Sequence, residues 1–315
     1  MFVFDFHQDI AWKRINNVDS FFRKNCLWQK ENKKFPNQVD LPRLEEVNVK
    51  LVFASSFDEK GDVKNIKKQI DFYRLLSQEY PDKFSLIKDF KDIKDVLENN
   101  KIGFLLHIEG LDFIKSEEDL KLIDEFFDLG VRSVGLTHNQ ENYLAGGALS
   151  KGKLKCLGRK LIEKCQKKGI IIDLAHLNKV SFSGVLKELS QPPLFSHGNV
   201  KSLFSHPRNL NDEQMKEIIN RDGLIGISFV PRFLKENTLE QVYLNFKYIL
   251  NLGGERNMAI GSDFDGMLGE ELVKDLESVD KLKFLDKYLQ EKKLSQETRE
   301  KIFFKNGHGV YQCVS

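Results

Sequence analysis

The stretch "FVFDFHQDI", residues 2–10, sets His7 and Asp9 two residues apart where an apolar run ends. Alternate residues of a strand share a face, so the imidazole and the carboxylate point one way and Gln8 the other. Such a pair is either half of a metal site or a surface ion pair at a strand end, and two residues alone do not choose between these. Further groups of the same kind follow: Glu109 after "FLLHI", His138 after "VGLT", His176 in "IIIDLAH", His197 in "PLFSH", and Asp263 and Asp265 in "IGSDFDG". Of the seven histidines, His7, His138, His176 and His197 fall where apolar, β-rich runs end, and His107 lies within one.

Three histidines, one aspartate and one glutamate are too many ligands for a single tetrahedral zinc that keeps an open position. They suit two divalent ions about 3.5–4 Å apart sharing a carboxylate. Glu109, with two oxygens, is the natural bridge, with His7 and Asp9 on one ion and His176 and His197 on the other. A hydroxide between the two metals would be the nucleophile, its pKa lowered by both charges. Asp263 is placed to orient that water and take its proton, and His138 to donate to a tetrahedral oxyanion. Arg208, in "SHPRNLND", could hold a substrate carboxylate in a bidentate pair.

Each assignment has a plainer counterpart. Asp263 and Asp265 could close a turn in "SDFDG", a role that suits Asp265, before Gly266, better. His138 could cap a helix, and Arg208 could form a surface ion pair. His206, beside Pro207, reads as a loop residue, and His308 in "KNGHGVYQ" as structural. His107 shares a strand face with Glu109 and reads as support for a ligand rather than as one. Tyr143, in "THNQENYLAGG", either lines a substrate pocket or packs.

These groups act together only if the fold gathers them. Eight apolar runs read as strands: 2–7, 49–55, 102–109, 131–137, 170–176, 193–197, 224–230 and 258–264. Several are apolar on both faces, as buried parallel strands are. Between most of them lie amphipathic stretches. "EEDLKLIDEFFDLG" and "LGRKLIEKCQKKG" end in glycine, a common helix stop, and Asn211 or Asp212 can cap "NDEQMKEIINRDG". Strand–helix alternation of this kind predicts an α/β fold, a (β/α)8 TIM barrel, whose chemistry sits at the C-terminal ends of its strands. No linker or low-complexity tract interrupts it, so residues 1–315 read as a single domain.

Charged residues make up 30% and hydrophobic residues 41% of the 315, which suits a soluble globular protein. Lys+Arg is 49 against 47 Asp+Glu, a net charge of +2, so no basic excess asks for nucleic acid. The first strand follows Met1 without the pattern of a secretory signal, and no apolar run approaches the ~20 residues that span a bilayer. Cys26, Cys156, Cys165 and Cys313 lack CxxC spacing and read as reduced thiols. The expectation is a cytoplasmic protein with neither nucleic acid nor membrane as partner.

The motifs "DFHQDI", "QVDLPRLEEVNV", "HIEG", "GLTHNQEN", "IIIDLAH", "PPLFSH", "PRNLND" and "IGSDFDG", in this order over residues 5 to 266, together resemble the membrane (renal) dipeptidase family of zinc metallopeptidases, amidohydrolase-like barrels. A weaker match is "KNGHGVYQ". The resemblance implies a metal-dependent hydrolase acting on dipeptides, with two zinc ions per chain on His7, Asp9, Glu109, His176 and His197. It implies His138 and Arg208 as substrate contacts, Asp263 as the acid/base, and a homodimer. Where the family usually has Gly, this chain has Phe6; Gln8 stands where Asn is frequent; Leu111 replaces a small residue. None removes a ligand, but Phe6 and Leu111 bear on substrate preference. A related barrel hydrolase acting on a lactone, a base to be deaminated or a phosphoester is the alternative. The His-x-Asp start and Arg208 favour the dipeptidase.

Overall fold

The computed structural model describes residues 1–30, 33–267 and 271–308; Cys313 and the end of "KNGHGVYQ" lie outside the described residues. Eight parallel strands form the barrel: β1 (Val3–Gln8), β2 (Val49–Ser56), β3 (Ile102–Ile108), β4 (Val131–Gly135), β5 (Ile171–Asp173), β6 (Leu194–Gly198), β7 (Leu224–Ile227) and β8 (Met258–Ile260). Each pairs with the next, and β8 returns to β1 with Asp5 opposite Ile260, closing the ring. Two features were not foreseen: a short strand, Phe84–Leu86, beside the start of β3, and an antiparallel hairpin of Leu27–Lys30 with Lys33–Pro36.

Alternation along the strands divides the apolar residues between two clusters. Phe4, Phe6, Leu51, Phe53, Leu105, Ile171, Leu194, Leu224 and Ala259 belong to one, which Ile87 and the helix residues Ile93 and Val96 extend. The strand residues come from around the ring, so they can meet only along the barrel axis. Val52, Ala54, Phe104, Leu106 and Ile108 belong to the larger cluster, together with helix residues such as Ile66, Ile70, Ile123 and Phe126. Continuing the alternation of β3 past Leu105 turns His107 and Glu109 inward, above the apolar plug.

Helices fill the connections as expected. The helix Cys156–Lys167 is followed by Gly169 at φ 71°, and Lys121–Asp128 by Gly130 at φ 105°. Asn211 rather than Asp212 caps Asp212–Asn220, exchanging hydrogen bonds with Gln214. No helix among the described residues is long and apolar enough to cross a membrane. The described cysteines Cys26, Cys156 and Cys165 are free thiols.

The strands begin where the apolar runs begin but often stop short of their ends. β5 ends at Asp173 and β8 at Ile260, several residues before His176 and Asp263. Both of those residues have left-handed backbones, φ 66° and 65°, which no strand accommodates. The chain leaves the sheet early and turns these side chains over the barrel mouth.

Candidate metal centre and substrate pocket

The end of β1 stays zipped to the segment after β8, because Asp263 N donates to His7 O (3.0 Å) and Asp9 N to Phe264 O (2.9 Å). That pairing brings His7, Asp9 and Asp263 together: His7 Nε2 lies 3.6 Å from Asp9 Oδ2 and 3.9 Å from Asp263 Oδ1. Across the mouth, Glu109 continues the β3 ladder through its N–H to Ser56 O (3.0 Å). Its two oxygens face different histidines. Oε2 is 3.7 Å from His7 Nε2, whereas Oε1 is 2.5 Å from His176 Nε2 and 3.5 Å from His197 Nε2. The chain turns at Gly110, φ 82°, where a Cβ would stand 3.0 Å from His138 N, so only glycine lets the two loops approach this closely.

His7, Glu109, His176 and His197 are all buried. His7 is fully buried, and neither of its ring nitrogens has a hydrogen-bond partner. Orphaned polar atoms of this kind are costly unless something else satisfies them. Three overlapping groups have ligand atoms close enough to share an ion: His7, Glu109 and His197; Glu109, His138 and His176; His7, Asp9 and Asp263. The donor set and the orphaned imidazole fit divalent metal binding. Burial disfavours a charge on His7, but Glu109 and Asp9 outweigh it and hold its pKa well above the ordinary value. Burial and the Arg208 charge keep His176 well below its ordinary value, and burial, His7 and Arg208 do the same for His197. Burial, with Asp9 and Glu109 nearby, pushes the Asp263 carboxyl up to about 8 against the pull of His7 and Arg208.

A pocket of about 310 Å³ opens over these groups, walled by Trp12, Phe57, Leu149, Phe233 and Met267 among others. His138 lines it, its ring packed 4.3 Å from Phe57 and 4.4 Å from His176. Arg208 is buried in the wall with its guanidinium 5.2 Å from the Phe233 ring. Its Nη1 is 3.0 Å from His176 Nδ1 and its Nη2 2.7 Å from His197 Nε2. Burial brings its pKa down to about 10, which leaves it charged at neutral pH.

The remaining expectations divide. His107 is buried with Nδ1 3.0 Å from Ser133 Oγ, a supporting position beside His7 rather than a place among the three groups. Asp265 is fully buried and paired with Lys13 (3.1 Å) and Arg14 (2.5 Å), which locks the loop after β8 to the helix Ile10–Arg14. His206, expected only in a loop, lines the pocket. His308 stacks on Phe304, away from the site. Tyr143 is 57% exposed and is not among the residues lining this pocket, to which the same loop contributes Leu149. Asn142 pulls that loop inward by bonding Leu136 O (2.8 Å) and Leu144 N (2.8 Å), leaving Tyr143 outside.

Sequence reasoning passed over Asp5, Asp173, Ser196, Ser262, Asn139 and Gly266. Asn139 Oδ1 lies 3.1 Å from His176 Nδ1. A Cβ on Gly266 would collide with both Asp9 Oδ2 and Asp263 Oδ1. The available signal was an aspartate just before a histidine, in "DFH" and "DLAH", and a serine just before a site residue, in "FSH" and "GSD".

Residues 1–314 match the model of the family described as membrane dipeptidase, peptidase family M19. An uncharacterized dipeptidase of Schizosaccharomyces pombe is 30% identical over 318 residues, spanning 92% of this chain and 75% of the relative. The dipeptidase tcpJ of Claviceps purpurea is 28% identical, spanning 87% of this chain and 68% of its own. Among solved structures, a Rhodobacter sphaeroides metallopeptidase liganded with a phosphinate mimic of the dipeptide L-Ala-D-Ala superimposes with a TM-score of 0.87 at 20% identity, covering 99% of each chain. A barrel closed by eight strands and a match along nearly the whole sequence lead to one assignment: the chain belongs to the membrane dipeptidase family of metallopeptidases, peptidase family M19.

Proposed function

We propose that the protein is a binuclear zinc dipeptidase that hydrolyses dipeptides with a free C-terminal carboxylate, residues 1–315 acting as one catalytic domain. The observation that carries the binuclear reading is Glu109, whose two carboxylate oxygens face different histidines. His7 and Asp9 would hold one ion, His176 and His197 the other, and Glu109 both. When bound, two such ions polarise a carbonyl and lower the pKa of water, chemistry the side chains alone do not supply.

The chain's own residues do the rest. Asp263 stands beside His7 and Asp9 at the edge of the pocket, where it can take a proton from the attacking water and return it to the leaving amine. His138, neutral because burial lowers its pKa, can donate one ring N–H to a developing oxyanion. Arg208, buried in the pocket wall, offers a planar fork to the carboxylate at the end of a dipeptide. A longer peptide would present a neutral amide at that point. Trp12, Phe57 and Leu149 exclude water and receive side chains.

The test is hydrolysis of a panel of dipeptides by the zinc-loaded protein, with N-blocked tripeptides, lactones and phosphoesters as competitors. Release of free amino acids from dipeptides alone supports the reading. Turnover of a lactone or phosphoester without dipeptide cleavage overturns it.

A further inference from the structure

Two buried aspartates outside the pocket wall organise the strand ends that carry the site. Asp173, 1% exposed at the end of β5, accepts through Oδ1 from Ala175 N (3.0 Å) and Ser196 N (2.9 Å). Its Oδ2 accepts from the Ser196 hydroxyl, and Ser196 Oγ lies 2.8 Å from His197 Nδ1. Asp5, fully buried in β1, repeats the device. Its Oδ1 accepts from His7 N (3.3 Å) and Ser262 N (2.9 Å), and its Oδ2 from Ser262 Oγ (2.5 Å) and Gln8 Nε2 (2.7 Å). Each carboxylate shortly precedes a histidine of the site along the chain: Asp5 precedes His7 within β1, and Asp173 precedes His176, which lies just beyond the end of β5. Each also clasps the serine immediately before a site residue of the neighbouring segment, His197 or Asp263.

The proton count fixes more than position. A hydroxyl has one hydrogen and an ionised carboxylate can only accept. Ser196 gives its hydrogen to Asp173, so it meets His197 Nδ1 with a lone pair. Nδ1 therefore carries the ring proton, and Nε2 presents its lone pair toward the centre, 3.5 Å from Glu109 Oε1. Arg208 supplies an independent reading of the same atom. A guanidinium only donates, and Arg208 Nη2 lies 2.7 Å from His197 Nε2, so Nε2 is an acceptor.

We propose that Asp173 is a positioning residue that, through Ser196, holds His197 in the Nδ1–H tautomer and so keeps Nε2 available to a divalent metal ion. Asp5, through Ser262, is the matching brace for His7 and Asp263. The role toward metal rests on the reading of His197 as a ligand given above. Asp173→Asn separates the relay from the packing, because the amide has the same shape but opposite logic. The N–H groups of Ala175 and Ser196 hold the amide oxygen on their side, which leaves the amide nitrogen facing Ser196 Oγ as a donor. The hydroxyl must then donate to His197 Nδ1, which drives the ring proton to Nε2 and forces the Arg208 guanidinium, itself only a donor, away from that atom.

The experiment uses the full chain labelled with 15N-histidine. Ring nitrogen shifts of the metal-free protein report the His197 tautomer, and competition with a chromophoric chelator reports zinc affinity. Wild type should show Nδ1–H. Folded Asp173→Asn should show Nε2–H and bind zinc about 10- to 100-fold more weakly, the usual range for groups that orient metal ligands. Ser196→Ala, which deletes only the hydroxyl, should mix the tautomers and weaken zinc less, and Ser196→Thr should restore both readouts. An unchanged tautomer and zinc affinity in Asp173→Asn overturn the proposal; if that variant does not fold, the same result in Ser196→Ala does so. If wild type binds no zinc, the ligand reading fails instead, and the tautomer measurement still decides the relay.

Discussion

Arg208 Nη2 lies 2.7 Å from His197 Nε2, so the cation proposed to read the substrate sits directly against a proposed metal ligand. It is not a solvated loop arginine: it is buried, and its loop is pinned by Leu210 N to Asn199 O (2.8 Å) and by Asn209 Nδ2 to Phe233 O (2.9 Å). Arg208→Ala should therefore reduce kcat/KM for a dipeptide about 10- to 150-fold more than for the corresponding dipeptide amide, matching the ~1.5–3 kcal/mol of a charge-assisted bond. Arg208→Lys should not restore it, because an ammonium lacks the planar fork. Equal losses on both substrates would show that Arg208 supports the wall instead.

Metal content is the second measurement. Protein purified in zinc should hold about two equivalents per chain, lose activity on dialysis against a chelator, and regain it with added zinc. Because Glu109 faces both histidine groups, Glu109→Gln should lower occupancy of both sites. His197→Ala should mainly weaken one. A folded wild type that retains no metal would sink the binuclear reading.

The two aspartates of "SDFDG" should part company. Asp263 borders the pocket, and Asp263→Asn should cut turnover by at least ~10²-fold, the lower end for loss of an acid/base, with folding and metal content intact. Asp265 instead neutralises Lys13 and Arg14. Asp265→Asn removes the buried negative charge that balances two buried cations and should cost about 3–5 kcal/mol of stability by denaturant titration. Burial raises the Asp265 pKa, but Arg14, Lys13 and the Gln38 N–H outweigh it and hold the carboxyl below its ordinary value. Its contribution is thus fully present above the unfolded value of about 3.9 and is lost as pH falls through the lower folded one. Stability measured below pH ~4 should fall less steeply in Asp265→Asn than in wild type.

What was legible in the sequence follows from what local pattern encodes. Strand starts were readable because burial on both faces demands nearly continuous apolar runs, as in "LIGI" at the start of β7. Strand ends were not, because His176 and Asp263 take left-handed backbones that side-chain pattern does not announce. The groups that gather at the mouth could be listed because a barrel sends every strand end to one face. The side chains that orient them were overlooked: Asp173 and Ser196 meet across two strands, and only register shows that they face each other. Tyr143 and Leu149 share one loop, and which of them turns inward depends on the bonds of Asn142.

The last prediction concerns Gly266, whose requirement is space rather than backbone freedom. It follows Asp265 in a tight turn where Gly266 N donates to Asp263 O (3.2 Å). An added Cβ would strike Asp9 Oδ2, a proposed metal ligand, and Asp263 Oδ1, the proposed acid/base. Both obstructing atoms are carboxylate oxygens at the pocket rather than backbone, so Gly266→Ala should fold with a melting temperature near wild type. The carboxylates must shift by about an ångström to make room, a displacement that commonly costs on the order of 10² in rate. The expected result is a loss of that size in kcat, together with weaker zinc binding through Asp9. Activity and zinc affinity both near wild type would mean that the two carboxylates have slack, and that neither is held in a single working position by the turn beneath it.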